Sequence, residues 1–260
     1  MKTRVIETKR GARCRVLEGG SGHPLVFFHS AGGLLVDNPF LDELAGRYHV
    51  FAPELPGYGE STGEDLLEDM LDFTLHGWDV VDTLGLRRPH LVGHSMGGMI
   101  AAEMAAIAPH DAGKLVLVGA AGLWMDEHPI PDLFSLLPEQ FAELLFHDPL
   151  AGQALLTGGV DFSDMEALKN FYIGQQRRLA MAGKILFPIP NRRVSKRLYR
   201  LTAETLVLWG RSDKLIVPAY GELWARLIPH AQLTLVAEAG HMLPYEQPKA
   251  FVAAVSAFLG

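Results

Sequence analysis

Cysteine is almost absent from this chain: Cys14 stands alone among 260 residues. One thiol closes no internal disulfide and builds no thiolate metal site, which removes disulfide-stapled and cysteine-zinc scaffolds. The part left for it is that of a small strand residue. Long apolar runs are missing as well. No stretch of about 18 apolar residues offers a membrane span, and the start, MKTRVIETKRGARCRV, lacks the apolar core of about 7 to 15 residues that a signal peptide needs. A cytoplasmic location with no membrane partner is the expectation. Positive charge is in deficit: 23 Lys and Arg stand against 30 Asp and Glu, a formal net charge of -7, the wrong sign for a nucleic-acid partner. Histidine is plentiful, 11 residues in all, but His76, His128 and His147 have no second ligand at a metal-like spacing, so no metal is expected.

What the chain does have is apolar material, 48% of its residues, enough for one substantial core. Short β-rich runs recur along it: RCRVLEGG, PLVFFHS, YHVFAPEL, RPHLVGH, KLVLVGA, ETLVLWG and QLTLVAEA. Amphipathic stretches lie between them, at Asp37 to Gly46, Glu64 to Leu84, Ser95 to Ala108, Pro218 to Leu227 and Gln247 to Leu259. This alternation predicts an α/β fold, a mostly parallel sheet with helices on both faces. One connection is long. From about Gly122 to Tyr199 no convincing strand occurs, and helical patterns at Pro131 to Leu145, Asp164 to Met181 and Arg192 to Tyr199 are broken by Pro149, Gly158, Gly159, Pro188 and Pro190. An inserted helical cap over 122–199 is expected, on a core domain made of 1–121 and 200–260.

The stretch HLVGHSMGGMI, His90 to Ile100, drives an apolar strand into Ser95 and leaves on two glycines into a helix. Gly93, Ser95 and Gly97 fit G-x-S-x-G with the strand before and the helix after that give this pattern its meaning. Ser95 is expected in a sharp, strained turn at the carboxyl edge of the sheet, where Gly93, Gly97 and Gly98 relieve crowding. The N–H of Met96, at the start of the helix, can then face negative charge developing on a substrate oxygen. His94, beside Ser95 in an extended strand, points the other way and reads as a supporting group.

Five motifs in order, FFHSAGG, PELPGYGEST, GHSMGG, WGRSDKLIVP and AEAGHMLPYEQP, resemble the α/β-hydrolase superfamily over essentially the whole chain apart from the cap. The resemblance implies an eight-stranded, mostly parallel sheet and a serine hydrolase of the carboxylesterase-like branch. It places the acid at Asp213 and the base at His241, with Ser95 as nucleophile. A serine hydroxyl needs a base within reach and a group that orients the base. His29 is expected to stabilise its loop. By alignment with the family's H-G-x-G pattern the second oxyanion donor is the N–H of Ala31, while Ser30 departs from the usual glycine.

Ser95 excludes the branches with aspartate at the elbow. Ring-fission carbon–carbon hydrolases carry HGxGPG, an asparagine before the nucleophile and a tryptophan after the base, where this chain has HSAGG, His94 and Met242. Carboxylic ester hydrolysis is therefore favoured. Carbon–carbon hydrolysis, acyl transfer, a lyase and a non-catalytic ligand-binding protein stay open as alternatives. The expected partner is a small-molecule ester, with no cofactor, and the chain is expected to be a monomer or homodimer. Residues beside the motifs suggest an apolar pocket drawn from Ser30, Leu34, Trp124, Leu215, Ile216 and Met242. Charge is segregated too: the stretch Tyr48 to Leu86 holds acidic residues and no Lys or Arg, and the stretch Ala167 to Ala203 holds basic residues and no Asp or Glu. Two solvated faces are expected, or a basic cap, including Arg177, Arg192 and Arg193, that steers anionic substrates or meets a neighbouring subunit.

Overall fold

The computed structural model describes residues 1–189 and 193–260, with backbone only at 138 and 139; Pro190 and Arg192 therefore lie outside the described residues. Eight strands form one sheet: β1 Lys2–Glu7, β2 Arg13–Gly19, β3 Pro24–Phe28, β4 His49–Pro53, β5 His90–His94, β6 Leu115–Val118, β7 Thr205–Gly210 and β8 Gln232–Val236. Their order is β1-β2-β4-β3-β5-β6-β7-β8. β2 pairs antiparallel with β1 and β4, and from β4 across to β8 every pairing is parallel. The chain is thus an α/β fold with a mostly parallel sheet.

The period of two along the strands decides which side each residue serves. Val26, Phe28, Leu91, Leu117 and Val207 turn to a core shared with helices α2 (Met70–Thr83), α3 (Met96–Ile107) and α7 (Ala219–Leu227). Leu25, Phe27, Val92, Val116 and Leu208 turn to the opposite core, under α1 (Pro39–Ala45), α8 (Leu243–Glu246) and α9 (Pro248–Leu259). Both faces of the central strands are buried, and this is why those strands read as continuous apolar runs.

Departures from the expected elements have local causes. β1 is an eighth strand that the apolar runs do not disclose, because five of its six residues are exposed. The stretch Glu64 to Leu84 does not form one helix. Asp69 adopts an extended backbone, and its carboxylate accepts from the N–H groups of Leu71 and Asp72, capping α2 and leaving only a short turn at Glu64–Leu66.

Between β6 and β7 the described residues contain no strand. They hold a turn at Leu133–Ser135 and helices α4 (Pro138–Leu145), α5 (Pro149–Thr157) and α6 (Met165–Leu186), followed by two short turns, Val194–Lys196 and Leu198–Arg200, where one helix was expected. Helix α5 was not anticipated. Pro149 and Gly158 read as breakers in the sequence, but Pro149 occupies the first turn after the Asp148 cap and Gly158 the left-handed closing position, φ 59°.

The charged blocks meet at one seam within the chain, while Glu60, Asp65, Glu68 and Asp69 stay exposed. Arg177 on α6 pairs with Glu64 and donates to the Ser61 carbonyl at 3.0 Å, and Lys184 donates to the carbonyls of Glu64 and Leu67, both at 2.8 Å. Arg197 pairs with buried Glu103 on α3.

Candidate active site

Ser95 sits where β5 ends and α3 begins, with φ 56° and ψ -115°. This is a left-hand φ that a serine does not choose. The surroundings impose it. The N–H of Ser95 donates to Val118 O at 2.8 Å, and its carbonyl accepts from Gly98, Met99 and Ala121. A Cβ on Gly93 would come within 2.3 Å of Gly97 O, and one on Gly97 within 2.2 Å of Phe28 O, so neither position accepts a side chain.

The turn brings together residues separated by up to 146 positions. His241 Nε2 lies 2.8 Å from Ser95 Oγ, and His241 Nδ1 lies 2.8 Å from Asp213 Oδ2. Nδ1–H donates to the carboxylate, which leaves Nε2 as acceptor for the serine hydroxyl. Asp213 is itself held: its Oδ1 accepts from the N–H groups of Leu215 and Ile216 at 3.0 and 2.8 Å. All three side chains belong to buried residues.

Support comes from groups outside this set. His94 Nε2 donates to the carbonyl of His241 at 2.8 Å. Burial pushes the His94 pKa down to about 3, so this ring stays neutral. His29 bonds Ser30 O through Nδ1 at 2.8 Å and accepts from Leu55 N through Nε2 at 3.1 Å, bracing the loop after β3; burial lowers it to about 4. Glu246, within AEAGHMLPYEQP, is a further group of the site that the motif alone does not mark. Its carboxylate accepts from Gly240 N at 2.7 Å and His147 N at 2.6 Å, and so fixes the residue before His241. The same corner is tied to α4, since Met242 N donates to Leu145 O at 3.1 Å and His147 Nδ1 lies 2.8 Å from Ser212 Oγ.

A cavity of about 310 Å³ opens on Ser95 and His241. Ser30, Ala31, Gly32, Leu215 and Met242 line its floor. Among the described residues the N–H groups of Ala31 and Met96 make no hydrogen bond. The walls come from the segment between β6 and β7: Phe141 and Leu145 from α4, Leu156 from α5, Phe171, Gln175 and Arg178 from α6. None of the α5 and α6 residues carries a sequence motif; the helical period marked those on α6, and nothing marked Leu156 on α5.

Three expected pocket residues lie elsewhere. Leu34 packs into the core under α1 and α9, and its neighbour Leu35 lines the cavity instead. Trp124 turns its indole N–H to Asp126 at 2.8 Å. Ile216 is buried beneath Asp213, where its carbonyl accepts from the Trp209 indole at 2.7 Å. Proximity in sequence did not reveal which way these side chains face. Among the described residues no cluster of three or more His, Cys, Asp or Glu side chains could hold a metal ion, and no helix is long and apolar enough to cross a membrane.

Comparison with known proteins places this geometry. A 2-hydroxy-6-oxo-6-phenylhexa-2,4-dienoate hydrolase of Burkholderia cepacia is 30% identical over 92% of this chain and 88% of that protein. Lipase 3 of Moraxella sp. (strain TA144) is 31% identical over 88% of this chain and 75% of its own length. Among solved structures a membrane phospholipase A superposes with a TM-score of 0.82 at 23% identity, covering 99% of this chain and 85% of that one, a likeness of fold. The model of the alpha/beta hydrolase family matches residues 19–255, and on that match, with the sheet order and the serine turn described above, the chain belongs to the alpha/beta hydrolase family.

Proposed function

We propose that this hydrolase cleaves carboxylic esters through an acyl-enzyme on Ser95. The observation that carries the proposal is the unbroken relay of two 2.8 Å contacts from Ser95 through His241 to Asp213. In this reading Ser95 Oγ attacks the ester carbonyl as His241 Nε2 takes its proton. The oxyanion forms against the unpaired N–H groups of Ala31 and Met96, each worth about 3 to 4 kcal/mol in the transition state. His241 then hands the proton to the departing alkoxide, and water repeats the sequence on the acyl-enzyme. Asp213 holds the tautomer and stabilises the imidazolium. Every proton and charge in these steps has a group of this chain to receive it.

The segment 122–199 acts in this proposal as a cap on the core formed by 1–121 and 200–260. Its helices supply the apolar walls, and a 310 Å³ cavity suits a small-molecule ester. The test is hydrolysis of p-nitrophenyl acetate, butyrate and octanoate by wild type and Ser95→Ala, with fluorophosphonate labelling and peptide mapping. Turnover lost in the variant, with the label on Ser95, is the expected result. No labelling of Ser95 would overturn the proposal.

A second reading, carbon–carbon bond hydrolysis of a ring-fission product, is favoured by the name of the Burkholderia relative. Consumption of 2-hydroxy-6-oxo-6-phenylhexa-2,4-dienoate faster than any p-nitrophenyl ester would select it.

A further inference from the structure

Arg177 and Arg178 are neighbours on α6, but the helix turns them to different surroundings. Arg177 faces Glu64 and two carbonyl oxygens of the core, those of Gly59 and Ser61. Arg178 faces the cavity, and among the described residues its guanidinium makes no hydrogen bond and no ion pair. Among the described residues it is the one lining residue of permanent charge, and no Asp or Glu lines the cavity with it. The nearest acid by field, Glu54, is engaged by Arg15 at 3.0 and 3.1 Å. Burial lowers the Arg178 pKa, the sign of a cation partly withdrawn from water.

The side chain is nonetheless held in place. A Cβ on Gly33 would meet Arg178 Cδ at 3.3 Å and the Tyr58 ring at 3.1 Å, so stem and ring both lie against the loop that carries Ala31. The Tyr58 hydroxyl donates to the Arg178 carbonyl at 3.2 Å. Gln175, three residues earlier on the same helix face, lines the cavity beside it, with an amide that makes no hydrogen bond among the described residues. A cation withdrawn from water without a counter-ion costs stability; Arg177 and Arg197 on the same segment have acidic partners, and Arg178 has none among the described residues.

We propose that Arg178 is the specificity-determining residue of this cavity and that the substrate carries a carboxylate, received by the Arg178 guanidinium with the Gln175 amide beside it. This rests on the ester reading above and names its substrate class: an ester bearing a free carboxylate in its acyl or its leaving half. A planar guanidinium suits a carboxylate because both can form two parallel hydrogen bonds. The apolar walls then take the chain between the two charged or reacting ends.

Two matched pairs test it: monoethyl adipate against ethyl hexanoate, with the charge in the acyl half, and 4-butyryloxybenzoate against phenyl butyrate, with the charge in the leaving half. In one pair kcat/KM for the anionic member should exceed that for the neutral one by about tenfold or more, and Arg178→Gln should collapse the ratio. Arg178→Lys keeps the charge and should keep part of it. Arg178→Met, which keeps an apolar stem against Gly33, serves if the glutamine variant fails to fold. Ratios near one in both pairs, or a ratio that outlives Arg178→Gln and Arg178→Met, would overturn the inference. Calorimetric titration of monoethyl adipate and 4-butyryloxybenzoate into Ser95→Ala, with and without Arg178→Gln, reads binding apart from turnover. Binding about tenfold weaker without Arg178 upholds the anion site even where no ester is cleaved, and equal binding defeats it.

Discussion

Ser95 is held at a positive φ by its neighbours, at a cost of about 1 to 3 kcal/mol that the surrounding hydrogen bonds offset. The sequence showed this residue clearly, because a strand, a serine between glycines and a helix leave few other structures open. It placed Asp213 and His241 by motif order. It did not show that Leu34, Trp124 and Ile216 point away from the cavity, since an apolar residue beside a motif carries no record of its direction. Arg178 was equally unmarked, a basic residue next to another. At this scale the sharpest test is Asp213→Asn. The substitution keeps the size and should keep the acceptor for Leu215 and Ile216 N–H, but it removes the charge that supports the imidazolium. We expect kcat to fall by about 10⁴-fold with KM and thermal stability nearly unchanged, measured by steady-state kinetics and a melting curve. A loss under tenfold would show that Asp213 does not act through His241.

Among the elements, those buried on both sides were the most legible. β3, β5, β6 and β7 announce themselves as apolar runs because each packs two cores. β1 has a single buried residue, Ile6, and is specified by its pairing with β2, a long-range fact that no local pattern carries. Helix α5 was lost for a different reason: Pro149 and Gly158 are punctuation, and punctuation opens and closes elements as often as it interrupts them. The attachment of α6 makes a prediction. Arg177 and Glu64 are both partly exposed, so a double-mutant cycle on Arg177→Ala and Glu64→Ala should give a coupling of about 0.5 to 1 kcal/mol. Because that pair joins the 122–199 segment to the core, limited trypsin digestion should cut within the segment faster in either variant. Unchanged cleavage rates would mean that Lys184 and the apolar walls hold α6 without it.

For the whole molecule, the buried histidines set the response to acid. Burial lowers His29 and His76 to about 4 and His94 to about 3, below the ordinary value of 6.5. Between pH 6.5 and about 4 the unfolded chain binds protons that the folded chain refuses, so stability is full above that window and falls as pH drops through it. Each ring removes about 2 kcal/mol by pH 5, and the lowered carboxylates of Glu64 and Asp72 act in the same direction further down. Urea midpoints should fall steeply from pH 7.5 to pH 5. A flat midpoint across that range would show that the folded protein accepts these protons.

The junction at Leu145 also limits how a guest reaches the serine. The end of α4 is bonded to the residue after His241, and its next turn of chain to Glu246 and Ser212. Lifting α4 would drag on the base and acid loops together, disarming the chemistry while the door stood open. The other side is held differently: Arg177 and Lys184 anchor α6 to carbonyls of the core, and Arg178 packs against Gly33 in the loop that carries Ala31. The α4 wall of the chamber is therefore also part of its clockwork.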